Sequence, residues 1–94
     1  MKRTRSFRDL LEKEMKDPEF RQAFDEEEVY ASLAIQIAKI REKQHLTQQE
    51  LAEKLHTTQQ TVSRLEDIHN SSYTLKTLIK IARTFNKKLK VELV

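Results

Sequence analysis

Residues 45–66, HLTQQELAEKLHTTQQTVSRLE, contain two short amphipathic segments separated by a tight turn. In the first, Thr47-Gln-Gln-Glu50 has the spacing of a capping box, in which a threonine opens a helix and a glutamate three residues later completes the cap. The second segment opens at Thr58. The pattern predicts two helices of about eight residues each. Their inward apolar residues are expected to be Leu51, Ala52 and Leu55 in the first helix, and Val62 and Leu65 in the second.

A longer helix is predicted before this pair. Asp25 and Glu28 have the spacing of a helix start, and the pattern favours a helix from about 26 to 44. Its apolar residues recur along one face, with Tyr30 at the edge: Val29, Leu33, Ile37 and Ile40. Ile35 points away from that face, so we expect something outside the domain core to cover it.

The part of the chain after the pair is predicted to contain a loop, a helix and a strand. Residues 67–74, DIHNSSYT, form the polar loop, and Thr74 caps the helix. The inner face of this helix is expected to consist of Leu75, Leu78, Ile79, Ala82 and Phe85. Residues 87–94, KKLKVELV, alternate with period two, which predicts a strand with Leu89, Val91 and Leu93 on one side. Because a lone strand cannot satisfy its backbone, we expect pairing with the same strand of a second subunit in a homodimer.

The N-terminal part combines two helix starts with a polarised charge pattern. Ser6 with Asp9 marks one start, and Asp17 followed by Pro18 marks the other. Residues 1–8 carry four basic residues, 9–28 carry nine acidic and three basic residues, and 29–94 carry eleven basic and six acidic residues. We therefore predict an acidic helical extension (1–28), a helical domain (29–86) and a dimerisation strand (87–94). An acidic segment beside a basic domain suggests two different partners, or one part screening the other; a solvated helix face is the alternative.

Composition argues against several classes of protein. The chain has no cysteine, which excludes disulfides and thiolate metal sites and is compatible with the cytoplasm, where we expect the protein to act. No apolar run reaches the roughly 18 residues that span a bilayer, and the basic N-terminus lacks the apolar region of a secretory signal. The three histidines are far apart, and no phosphate loop is present, so we expect neither enzyme activity nor a cofactor or metal.

The two-helix segment TQQELAEKLHTTQQTVSRLE (47–66) resembles the Cro/C1-type (XRE) helix-turn-helix family, and the similarity extends from about Ile35 to Phe85. The resemblance implies an all-α, five-helix lambda-repressor-like domain. It also implies a transcriptional repressor that binds double-stranded DNA at specific sequences. In such proteins the second helix of the pair enters the major groove by its N-terminal turn.

The side chains on the second helix suit the reading of base edges. A glutamine amide matches the donor and acceptor of adenine, and an arginine fork matches the two acceptors of guanine. Gln60 and Arg64 are four residues apart and therefore share one helix face. Threonine methyl groups can also contact the methyl of thymine. We expect the following residues to contact DNA: Thr58, Gln59, Gln60, Thr61, Ser63 and Arg64.

The family resemblance assigns further roles. It implies that Gln48 contacts a phosphate and braces the recognition helix, and that Arg41 and Glu66 form a structural ion pair. Three residues stand where the family usually has glycine: His45, His56 and Asn86. Since histidine and asparagine tolerate positive φ better than most residues, we expect all three to be turn residues, and the histidines not to be catalytic groups.

The overall layout also resembles antitoxins of the HigA type, which neutralise a small, basic RNA-cleaving toxin and repress their own operon as dimers. The residues that carry this likeness are Asp17, Phe20, Phe24, Ile35 and the closing strand. The resemblance implies a partner-binding surface at Phe20, Phe24 and Ile35. The alternative is a stand-alone regulator without a toxin partner, whose N-terminal extension packs on the domain or assists dimerisation.

Overall fold

The structure, a computed structural model, describes residues 12–94. Within this range residues 12–14 are helical, and four longer helices follow: α1 (Pro18–Lys43), α2 (Gln48–Leu55), α3 (Gln59–Leu65) and α4 (Leu75–Thr84). These five helical segments confirm the prediction of an all-helical fold. The helix start predicted at Ser6 lies outside the described residues. None of the described helices is both long and apolar enough to cross a membrane.

Helix α1 is one continuous helix, and the start predicted at Asp25 is wrong. The Asp17 side chain accepts a hydrogen bond from the Glu19 backbone N–H at 3.0 Å, and Pro18 occupies the first turn, as predicted for this pair. Between this cap and Lys43 the sequence offers neither glycine nor a second proline, so nothing interrupts the backbone hydrogen bonds. The predicted domain boundary at residue 28 therefore lies inside a helix about 39 Å long.

The core lies where α2 and α3 pack against the C-terminal half of α1 and against α4. Its buried side chains are Ile37, Leu51, Ala52, Leu55, Val62, Leu65, Ile81 and Phe85. All five residues predicted to face inward from α2 and α3 are therefore buried. The prediction is wrong for Val29, Leu75 and Ile79, which are 59%, 62% and 40% exposed. Val29 is not part of the core cluster. Helix α4 and its C-cap pack against the domain through the side chains of Ile81 and Phe85.

Three helices end in the same way, without glycine. His45, His56 and Asn86 have φ values of 58°, 57° and 58°, which confirms the predicted positive-φ turns. After each of them the next backbone N–H donates to the carbonyl five residues earlier: Leu46 to Arg41 at 3.1 Å, Thr57 to Ala52 at 2.9 Å and Lys87 to Ala82 at 2.8 Å. Each helix therefore ends in a hydrogen bond of the Schellman type, which satisfies a terminal carbonyl.

The closing segment (87–94) is not a strand in the described structure, so the strand prediction is wrong for the single chain. Contact with a second subunit through Leu89, Val91 and Leu93 stays a prediction. A strand needs a second strand to form its backbone hydrogen bonds, and a period-two pattern does not provide one. No strand lies beside this segment in the described residues. Leu89 is half-buried, whereas Val91 and Leu93 are 66% and 100% exposed. Leu89 belongs to a cavity between α1 and α4, which the segment borders.

Candidate nucleic-acid interface

Helix α3 is capped by the threonine that precedes it. The Thr58 hydroxyl accepts a hydrogen bond from the Thr61 backbone N–H at 3.2 Å and lies 3.0 Å from the Thr61 hydroxyl. This arrangement satisfies one of the free N–H groups of the first turn and fixes where the helix begins. Both hydroxyl groups are therefore engaged in the cap.

Four polar side chains of α3 face solvent on the side opposite the core. Val62 and Leu65 are buried against the domain, and Thr61 is half-buried. The exposed side chains are those of Gln59, Gln60, Ser63 and Arg64. They form two pairs at a spacing of four residues, so they make one continuous polar surface from the N-terminal turn onward. The fold therefore brings together on one surface four of the six residues of this segment that were expected to contact DNA.

An ion pair fixes the angle of α3 against the rest of the domain. Arg41 Nε donates to Glu66 Oε2 at 2.6 Å, and Arg41 Nη2 donates to Glu66 Oε1 at 3.1 Å. The two side chains retain 13% and 7% of their exposure, so the pair is largely shielded from water. The hydrogen bond to Glu66 raises the pKa of Arg41 above its ordinary value, so the guanidinium stays charged.

The same ion pair also holds the turn between α1 and α2 and the start of α2. Arg41 Nη1 donates to the backbone carbonyl of Leu46 at 2.8 Å. The Gln48 amide donates to Glu66 Oε1 at 3.0 Å, so this carboxylate accepts from two helices at once. The end of α1, the first residue of α2 and the end of α3 are therefore joined in one network. This geometry matches the bracing role expected for Gln48.

A second anchor of α3 comes from the loop 67–74, and it was not among the contacts expected from the sequence. The Tyr73 hydroxyl donates to the backbone carbonyl of Leu65 at 2.6 Å, and its ring stacks on Tyr30 of α1 at a centroid distance of 6.3 Å. Burial raises the pKa of Tyr73 above its ordinary value of 10.0. The one tyrosine in a mostly polar loop was the signal that could have predicted this anchor.

The residues expected to bind a partner lie on α1. Phe20 and Phe24 stack on each other at a centroid distance of 6.3 Å. Phe24 and Ile35 are 37% and 45% exposed, and Phe20 is half-buried. With 3.6 residues per turn, these positions and the half-buried Ala31 and Ala38 form a second apolar stripe along α1. This stripe is on a different side of the helix from the core residue Ile37.

The family comparison agrees with the geometry of α2 and α3. A family described as Helix-turn-helix matches residues 37–91, more than half of the chain, and the match includes both helices and the turn between them. A search of curated proteins and a search of solved structures each found no match. The chain belongs to the Cro/C1-type helix-turn-helix family, whose members bind DNA at specific sequences and regulate transcription.

Proposed function

We propose that this protein is a transcriptional repressor whose α3 reads base edges in the major groove of double-stranded DNA. The observation that carries the proposal is the exposed row on α3, Gln59, Gln60, Ser63 and Arg64, on a helix that is capped at one end and braced at the other. Base reading requires side chains held in a fixed orientation, and the Glu66 network supplies that rigidity.

Each side chain in this row has a partner chemistry in the groove. Arg64 can donate two hydrogen bonds to the O6 and N7 of guanine, and Gln60 can pair with the N6 and N7 of adenine. We propose that Gln48, at the first turn of α2, contacts a phosphate while its amide stays bonded to Glu66. Phosphate contacts position the protein on the duplex, whereas contacts with base edges select the sequence.

A gel-shift titration with the promoter of the protein's own gene tests this proposal. The triple variant Gln59→Ala, Gln60→Ala and Arg64→Ala removes the base-reading groups, and it should abolish preference for the promoter over unrelated DNA. A matched control is Arg21→Ala with Gln22→Ala, which removes the same residue types from an exposed part of α1. If the triple variant binds the operator as tightly as this control does, the assignment of base reading to Gln59, Gln60 and Arg64 is wrong.

A second candidate function, that of an antitoxin, is favoured by the stripe on α1. Exposed Phe24 and Ile35 leave apolar surface in water, and the surrounding helix carries a run of four acids from Asp25 to Glu28. Aromatic side chains within an acidic surface suit a small basic protein, because burial supplies affinity and charge supplies attraction. The candidate partner is the product of a neighbouring gene, a small, basic RNA-cleaving toxin.

Co-expression with the product of the neighbouring gene separates the antitoxin from a stand-alone regulator. We expect the neighbour to be toxic alone, to be neutralised by this protein, and to be captured with it in a pull-down. Phe24→Asp with Ile35→Asp should lose both effects and keep DNA binding. If the product of the neighbouring gene is harmless and does not bind this protein, the antitoxin function is wrong and the stand-alone regulator is favoured.

We also propose that the protein acts as a homodimer. A single α3 reads only a few base pairs, and two copies related by a two-fold axis would read half-sites about one helical turn apart. Full operator affinity of a monomer for one isolated half-site would contradict this part of the proposal.

A further inference from the structure

A continuous groove lies on the face of the molecule formed by α1, α4 and the closing segment. Its central part is a cavity of about 280 Å³ between Leu33 and Ile37 on α1 and Leu78 and Ala82 on α4, with Leu89 as its edge. An open depression adjoins it along α1, and a smaller one adjoins it at the end of α4, each sharing lining residues with the central cavity. Two of the apolar side chains that line it are well exposed: Val29 and Ile79.

The two ends of this groove carry opposite charges. The depression on α1 is lined by Asp25 and Glu28. The depression at the end of α4 is lined by Arg83, Lys87 and Lys88. No acidic residue occurs between positions 75 and 90, so the basic end has no neutralising group in its own segment. The groove is therefore acidic at one end and basic at the other. Its middle is mainly apolar, and Gln36, Lys87, Lys88 and Lys90 border it.

We infer that a second copy of this chain docks on this groove, in a two-fold arrangement that sets the acidic end of each copy against the basic end of the other. A two-fold interface joins one surface patch to the same patch on the partner, so the patch must complement itself. A patch with opposite charges at its two ends meets this requirement when the copies are antiparallel, whereas a partner of uniform charge would match only one end.

The arrangement is compatible with the proposed function. The residues lining the groove belong to α1, α4 and the closing segment, and none belongs to α2 or α3. Both recognition helices therefore stay free when two copies dock. The inference rests on the proposed homodimer and names its surface. It also gives the closing segment a role as one wall of the groove instead of a strand.

The test uses sedimentation velocity of the full chain without DNA, across micromolar concentrations, so that its result does not depend on the DNA proposal. One variant reverses the acidic end, Asp25→Lys with Glu28→Lys. The other reverses the basic end, Arg83→Glu with Lys87→Glu. Each variant alone brings like charges together, and its dimer dissociation constant should rise at least about tenfold. An equimolar mixture should form a heterodimer, because both contacts between opposite charges are then restored.

The control changes the charge of the same helix outside the groove. Glu26→Lys with Glu27→Lys makes an equal charge change on α1 and should dimerise like the unaltered protein. Recovery in the mixture also shows that both variants are folded, and circular dichroism checks each one alone. Three results would overturn the inference: an unaltered protein that stays monomeric, single variants that dimerise normally, or a mixture of folded variants that stays monomeric. Binding to an isolated half-site, measured by fluorescence anisotropy, reports separately on α3.

Discussion

At the scale of single residues, the fold depends on side chains that hold helix ends in place. His45, His56 and Asn86 adopt left-handed backbone at three helix ends in a chain that has no glycine. Glu66 joins three helices by accepting from Arg41 and Gln48. The positive-φ turns and the pairing of Arg41 with Glu66 were both expected from the resemblance of residues 47–66, because they occur at fixed positions relative to the two helices.

Substitutions at His56 test the left-handed helix end. His56→Val should lower the free energy of unfolding by about 1–2 kcal/mol, because a β-branched side chain clashes in left-handed backbone. His56→Gly relieves that strain but gives the unfolded chain more freedom, so its free energy of unfolding should stay within about 1 kcal/mol of the unaltered protein. Urea denaturation followed by circular dichroism measures both. Equal stability of the valine and glycine variants would contradict the structural role of this position.

Removal of Arg41 tests the ion pair. Arg41→Ala leaves the Glu66 carboxylate shielded from water with Gln48 as its remaining donor. We expect a loss of about 3 kcal/mol, the lower end of the range for breaking a buried pair, since the two side chains keep 13% and 7% of their exposure.

The double variant Arg41→Met with Glu66→Leu should lose less than Arg41→Ala, because no unpaired charge remains. Denaturation midpoints of the single and double variants in one buffer make the comparison. A double variant that is less stable than Arg41→Ala would show that the unpaired Glu66 carboxylate is not the cause of the loss in Arg41→Ala.

At the scale of elements, local signals predicted α2, α3 and the start of α1 well. Each has its cap in the adjacent sequence: Thr47 with Glu50, Thr58, and Asp17 with Pro18. The wrong predictions concern elements whose structure depends on contacts between residues far apart in the sequence. Asp25 with Glu28 fits a helix interior as well as a helix start, and the alternation in residues 87–94 carries no information about a partner strand. The width of the apolar stripe on α4 did not reveal which part of it would be covered.

The loop 67–74 gives the prediction that belongs to this scale. Tyr73→Phe removes the hydrogen bond to the Leu65 carbonyl, which should cost about 1 kcal/mol near neutral pH. Because burial raises the pKa of Tyr73 above 10.0, the folded state favours the neutral phenol, and the stability it contributes is lost as pH rises above 10. Above pH 10, the free energy of unfolding of Tyr73→Phe should therefore change less with pH than that of the unaltered protein.

Denaturation of both proteins in buffers below and above pH 10 measures this difference. Lysine side chains titrate in the same range, so only the comparison between the two proteins isolates Tyr73. Parallel pH profiles for the unaltered protein and the variant would show that Tyr73 is not held as the structure has it.

At the scale of the whole molecule, three surfaces lie on separate parts of one small helical domain. The polar row of α3 faces outward, the apolar stripe with Phe24 and Ile35 runs along α1, and the groove with Leu33 and Leu89 separates α1 from α4. The first two could be predicted as sets of residues, because the family resemblances named them and helix spacing put them on common faces. The groove could not be predicted in this way. It depends on how the closing segment packs across α1 and α4, and no short sequence pattern indicates that packing.

The central claim is that side chains of α3 select the DNA sequence. The most direct measurement is the affinity of the unaltered protein and of Arg64→Ala for a panel of operators substituted one base pair at a time, at a fixed salt concentration. We predict that the variant loses about 1–3 kcal/mol on the unaltered operator and ceases to discriminate at one base position in each half-site. A loss spread evenly over all sequences, or an unchanged pattern of discrimination, would contradict the claim.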